Sequence, residues 1–164
     1  MEFRYLTVND SAQLDRLIGV IESSIPDKSW WLPIQTLAKD HFFDPEWTVI
    51  YGAFEDGMLV ASSSLFLTDN EFGEAAAAIG LDLAHVAEIG RCMVDPSYRG
   101  QNLMLRLNGT LVEHARKSGI HNIVATAHPS NVPSCTSLLS LGMHVAGKIV
   151  KYETYERNIF LLSL

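Results

Sequence analysis

The stretch Ala87–Leu111, AEIGRCMVDPSYRGQNLMLRLNGTL, decides how this chain is read. An apolar strand runs to Val94, Asp95-Pro96 turns the backbone, and Arg99-Gly100 leads straight into a long helix. A strand that ends in a short loop and opens a helix gathers several free backbone N–H groups at one point. Those groups and the positive end of the helix dipole make an anion site suited to a phosphate. A phosphate-bearing ligand is therefore expected from local chemistry alone.

Outward from that core, the helix after the loop spans about 101–118. Leu103, Leu107, Leu111 and Ala115 form one stripe, Arg116 and Lys117 stand in the last turn, and Gly119 stops it. Upstream, 86–94 is the strand, and 47–54 and 58–67 read as two more joined by the hairpin signal Glu55-Asp56-Gly57. Residues 2–8 form a first strand. Asp10, with Gln13 three residues on, offers a capping box for a helix that carries Leu14, Leu17, Ile18 and Ile21 to Ser23 or Ser24. Pro26 and Trp30-Trp31-Leu32-Pro33 break that helix, and a short second one is expected across 34–42. The Gly- and Ala-rich segment 69–85 reads as a surface excursion with one helical turn, or equally as a loop that covers a substrate. Downstream, 121–126 is a strand, 131–141 a helix ended by Gly142, and 143–152 and 157–163 two final strands. This order predicts a mixed sheet with helices on both faces.

Composition narrows the class. The chain has 164 residues, the length of one domain, with 48% hydrophobic and 19% charged residues, which excludes disorder. A net charge of −7 with 12 Lys and Arg argues against a nucleic-acid partner. The two cysteines, Cys92 and Cys135, give no disulfide framework, and the N-terminus has no signal-peptide pattern. No apolar run reaches the ~20 residues of a membrane helix, so a cytoplasmic protein without a membrane partner is expected. The six histidines show no metal-ligand spacing, and no metal is expected. A GxxxxGK[ST] loop is absent, which argues against a P-loop nucleotide site.

The chain resembles the GCN5-related N-acetyltransferase superfamily. That superfamily's acyl-CoA loop reads Gln or Arg, two free positions, Gly, one free position, then Gly or Ala. The matching residues are Arg99, Gly100, Gln101, Asn102, Leu103 and Met104 after Val94-Asp95-Pro96-Ser97-Tyr98. Asn131 falls where the superfamily opens its next helix, Ser134 at its small-residue position, and Gly142-Met143 at its Gly-Phe helix exit. Three positions depart: Asn102 and Met104 replace small residues, and Leu138 stands where many members carry a thiol-protonating tyrosine.

The resemblance covers nearly the whole chain, and it implies one N-acetyltransferase domain over 1–164. The implied architecture is α/β: a mixed, mostly antiparallel sheet of six to seven strands with helices on both faces, the acyl-CoA N-acyltransferase fold. It further implies acetyl-CoA as acyl donor, a primary amine as acceptor, and Glu88 as catalytic base through a water. The backbone of Cys92, Met93 and Val94 would pair with the pantetheine arm, and Arg99–Met104 with Asn131 would complete the cofactor site. Tyr152, Tyr155 or His144 on the last strands could supply a proton to the departing thiol, and nothing in the sequence selects among them. Without the resemblance, Glu88 reads as solvent-facing or paired with Arg91, Asn131 as a helix cap, and Cys135 as a small buried residue. Trp30, Trp31, Phe42, Phe43 and Trp47 read as core, or as an acceptor pocket. The competing function is a non-catalytic acyl-CoA sensor or interaction module on the same fold. Edge strands near the C-terminus are compatible with a homodimer.

Overall fold

Alternation of apolar and polar residues builds the first half of the sheet. The computed structural model describes residues 1–31, 42–151 and 154–164. β1 (Glu2–Tyr5) pairs with β2 (Thr48–Glu55), β2 with β3 (Met58–Phe66), and β3 with β4 (Val86–Val94), all antiparallel. The β2–β3 turn uses Asp56 and Gly57 at φ 49° and 77°. That is the left-handed pair a tight hairpin needs, and Asp and Gly tolerate it.

The second half holds β5 (Asn122–Ala127), β6 (His144–Lys151) and β7 (Tyr155–Ser163), giving the order β1-β2-β3-β4-β5-β7-β6. β4 and β5 join the halves in parallel, with Val86–Glu88 set against Asn122–Val124. Every other pairing is antiparallel.

Among the described residues, four α-helices cover the two faces. On one face α1 (Ser11–Ser24) packs Leu14, Leu17 and Ile21 on Ile50, Phe54, Phe66 and Met93. Beside it α2 (Asp69–Ala78) packs Phe72 and Ala76 on Val86 and Val124. On the other face α3 (Leu103–Lys117) and α4 (Val132–Ser140) close over Leu65, Ala87, Ile89, Ile123 and Ala125. None of these helices is long and apolar enough to cross a membrane.

Two local expectations fail for physical reasons. Segment 69–85 holds a helix of 10 residues rather than one turn. Its alanines have the best intrinsic helix propensity, and Phe72, Ala75 and Ala76 bury themselves on the sheet. The Asp10–Gln13 capping box does not form. Arg4 captures Asp10 with a two-pronged pair at 2.9 and 2.7 Å, and Thr7 N–H donates to the same carboxylate at 2.9 Å. Gln13 instead clamps the β2–β3 hairpin, donating to the Gly57 carbonyl at 2.9 Å and accepting from Leu59 N–H at 3.2 Å. Residues 34–41 of the expected second helix lie outside the described residues.

Candidate active site

The parallel joint is short, and a cleft opens where it ends. Past Glu88 and Val124 the two strands keep their outer partners: β4 follows β3 as far as Val94, and β5 follows β7 as far as Ala127. Between them they leave each other unpaired, so the backbone edge of Gly90–Val94 faces open space. A β-bulge sits at the same point. Ser62 opposes Met93 and Ser64 opposes Gly90, so Ser63 alone spans Arg91 and Cys92, and Arg91 takes φ 52°. The resulting cleft has a volume of about 1140 Å³. That lies just past the upper end of the roughly 300–1,000 Å³ typical of small-molecule sites.

The anion loop borders this cleft. Asp95 caps the short turn Pro96–Tyr98 by accepting from Ser97 N–H at 3.0 Å. Gly100 and Asn102 then adopt left-handed φ of 78° and 56°. The first main-chain bond of α3 runs from Arg106 N–H to the Asn102 carbonyl at 3.0 Å. The N–H groups of Gly100 through Leu105 thus have no acceptor among the described residues, and they form a concave nest for an anion. Asn is one of the few side chains that visits the left-handed region readily, which accounts for Asn102 at a small-residue position. Its amide makes no cap bond to α3.

Of the residues singled out from sequence, Glu88, Cys92, Met93, Val94, Arg99, Gly100, Asn102, Leu103, Met104 and Asn131 all line this cleft. Gln101 does not, though its main-chain N–H belongs to the nest. Glu88 is 6% exposed, so it is not the solvent-facing strand residue of the ordinary reading. Asn131 does cap α4, accepting from Ser134 N–H at 3.3 Å, while also lining the cleft. Burial raises the pKa of the Cys92 thiol, and contacts to Ser63 Oγ at 2.9 Å and Asn108 Oδ1 at 3.4 Å only partly offset that. Cys92 is therefore a protonated thiol at neutral pH, not a nucleophile. Burial raises the Cys135 thiol as well, and that residue does not line the cleft.

Leu138 is buried against the core and borders the cleft. Tyr155 and His144 do not line it, and Tyr152 lies outside the described residues. Trp30, Trp31, Phe42 and Trp47 border the cleft, whereas Phe43 does not.

Sequence reading missed a cationic end. Lys151 and Arg157, from the β6–β7 hairpin, line the cleft and are 8% and 3% exposed. Arg157 donates to the Ser29 and Glu156 carbonyls, each at 2.7 Å, and so ties the turn Lys28–Trp30 to β7. Trp30 Nε1–H donates to Ser130 Oγ at 2.9 Å, fastening the same turn near the end of β5. Burial holds the Arg157 guanidinium below its ordinary pKa; nearby Tyr155 opposes that and Arg91 reinforces it. Their position in a remote hairpin gave no motif by which to find them. Among the described residues no cluster of three or more His, Cys, Asp or Glu could hold a metal ion.

A sequence profile of the acetyltransferase (GNAT) family matches residues 19–143. No curated protein matches the chain significantly. Among solved structures, the chain is similar to YncA, a putative acetyltransferase from Salmonella typhimurium with its cofactor acetyl-CoA. That match has 19% identity, spans 100% of this chain and 94% of the other, and has a TM-score of 0.72. A ribosomal-protein-alanine N-acetyltransferase from Brucella melitensis matches at 18% identity over 100% of both chains, with a TM-score of 0.72. The aminoglycoside acetyltransferase AAC(6')-Ib, in complex with coenzyme A and kanamycin, matches at 18% identity over 98% and 93%, with a TM-score of 0.71. At such identities the likeness establishes the fold.

Proposed function

The chain belongs to the acetyltransferase (GNAT) family, and on that premise we propose that it moves the acetyl group of acetyl-CoA to a primary amine by direct attack in a ternary complex. The whole chain, 1–164, acts as one N-acetyltransferase domain in this reading. The observation that carries it is the opening of β4 from β5 beside six N–H groups that have no acceptor among the described residues. The acyl donor, when bound, supplies an activated thioester. Arg99 and the main chain of Gly100–Met104 hold its pyrophosphate, with Asn131 at the facing helix start. The free edge of Cys92–Val94 pairs with the pantetheine arm like an added strand. An N–H near Val94 polarises the thioester carbonyl.

An alkyl amine has a pKa near ~10.4, so at pH 7 roughly one molecule in a few thousand is nucleophilic. Glu88 removes the proton through a water. A thiol pKa near ~8.5 makes thiolate an acceptable leaving group without a dedicated acid, so Leu138 is tolerated. The protonated Cys92 leaves no covalent acyl-enzyme route through that thiol.

Calorimetric titration with acetyl-CoA, free CoA and ATP tests the donor site. Micromolar binding of acetyl-CoA with none of ATP is expected. Failure to bind either CoA species would overturn the reading. Leu138 favours a second reading, a non-catalytic acyl-CoA-binding module. Binding of acetyl-CoA without acetylation of any amine would establish that alternative.

A further inference from the structure

The cleft wall carries the acidic Glu88 and, from the β6–β7 hairpin, the cationic Lys151 and Arg157, with Arg91 close enough to act on Arg157. In the sheet, Glu88 on β4 stands beside Val124 on β5, and Val124 beside Leu161 on β7. Val124 and Leu161 share a face with Val86 and α2, and the period of two puts Glu88 and Arg157 on that face as well. Lys151 opposes Tyr155, and Gly147, four residues earlier on the same side, faces Ile79 just past α2. Lys151 therefore lies on the α1–α2 side of the sheet, away from the nest at the start of α3. Two strand spacings and four residues of rise separate the Cα atoms of Glu88 and Arg157, about 16 Å before the side chains reach inward.

Lys151 is the unusual member of this group. Its ammonium has no hydrogen bond or ion pair among the described residues, although the residue is more than nine-tenths buried. The cleft wall covers its apolar stem, and the ammonium at the tip opens into the cleft, where it can meet a ligand. Arg157 spends two of its N–H groups on carbonyls and meets no carboxylate among the described residues. The nest lies on the opposite face, so the anion that Lys151 awaits is not the pyrophosphate of the donor.

We propose that Lys151, supported by Arg157, receives a carboxylate on the acceptor, so that the acceptor is an amino acid or peptide whose amine points to Glu88. This rests on the transferase reading above and names its substrate class. Glu74 of α2 also lines the cleft. A bipolar acceptor lies along this axis in one orientation, which presents its amine to the thioester.

The test compares L-amino acids and dipeptides with their C-terminal amides as acceptors, with acetyl-CoA saturating. The wild type should prefer each acid over its amide by at least tenfold in kcat/KM. Lys151→Met should reduce that preference at least tenfold, through KM for the acid, while acetyl-CoA affinity measured by calorimetry is retained. Lys151→Arg should restore part of it. Lys151→Met keeps the apolar stem and gives up no hydrogen bond or ion pair of the described residues, so it should melt within a few degrees of the wild type, and a cooperative melt there separates loss of the cation from loss of fold. Equal use of acids and amides by the wild type would overturn the proposal, as would an equal loss for both in Lys151→Met. So would acetyl-CoA binding with no acid acetylated. Absence of acetyl-CoA binding would overturn the transferase reading beneath it, a separate and distinguishable failure.

Discussion

Replacing Glu88 by Gln keeps the shape and most of the polarity of a side chain that is 6% exposed, but removes its ability to take a proton. A positioned base contributes roughly 10²–10⁴ to rate. The kcat/KM of Glu88→Gln at pH 7 is therefore expected to fall by about 10²–10³, equivalent to about 3–4 kcal/mol of transition-state stabilisation. The pH dependence is the sharper signature. With an amine pKa near ~10.4, each unit of pH above 7 raises the free amine about tenfold, so the variant should recover by that factor per unit while the wild type gains less. Initial rates of CoA release from pH 7 to pH 9.5, with acceptor below KM, read this directly. Because Glu88 pairs with Val124 at the last rung of the parallel joint, a distorted joint would also weaken acetyl-CoA binding. Calorimetry should give an affinity within threefold of wild type. A deficit that stays constant across the pH range, or a variant within twofold of wild type at pH 7, would refute Glu88 as the base.

Asp10 is held at a pKa of about 2 rather than 3.8, chiefly by its hydrogen bonds from Arg4. A depressed carboxylate stabilises the fold above its unfolded pKa and loses that contribution as pH falls from about 4 towards 2. The ceiling is about 2.5 kcal/mol, and because Arg4 is 39% exposed, screening reduces it to about 1 kcal/mol. Asp10→Asn should lose that amount in urea unfolding at pH 7, and the difference should vanish near pH 2. Asn102, at φ 56°, should accept Gly with no loss of melting temperature and unchanged or tighter acetyl-CoA binding. Asn102→Val should cost about 1–2 kcal/mol by denaturant titration. Deleting Arg91 removes the bulge residue and shifts Cys92–Val94 by one place in the register. Acetyl-CoA binding, read by calorimetry, should then be lost even in material that still shows a cooperative melt.

The parts of the molecule set by short-range pattern were legible in its sequence. Alternation and the Asp56-Gly57 turn located the β2–β3 hairpin, and the apolar stripe from Leu103 to Ala115 located α3. The start of α3 was legible too, because a strand, a short turn and a helix in succession leave unpartnered N–H groups whatever surrounds them. Three things were hidden. The helical content of 69–78 was masked by Gly73 and by a run of alanines whose burial only the sheet reveals. The conformation of Asn102 turns an apparent defect of the loop into a fitting residue, and φ cannot be read from a letter. Lys151 and Arg157 lie more than sixty positions from Glu88 in the chain, and only the β4-β5-β7-β6 strand order brings them to one cleft.

The bulge at Arg91–Cys92 changes which face of the sheet each residue of β4 meets. A regular strand would put residues 88, 90, 92 and 94 on the same face. Here Val86 packs with α2 and Met93 with α1, while Cys92 and Val94 pack on the α3 side. The extra residue reverses the phase between Glu88 and Met93. The carboxylate is left on the face of Lys151 and Arg157, whereas the strand beyond the bulge turns Cys92 and Val94 to the face that carries the anion nest. The same irregularity falls where β4 parts from β5, so the strand edge becomes free at the position where its faces exchange. In the proposed reaction, donor and acceptor then approach from opposite sides of the sheet and meet within the thickness of a single strand. That one inserted residue is what sets Glu88 and the free edge of Cys92–Val94 on opposite faces of the same strand.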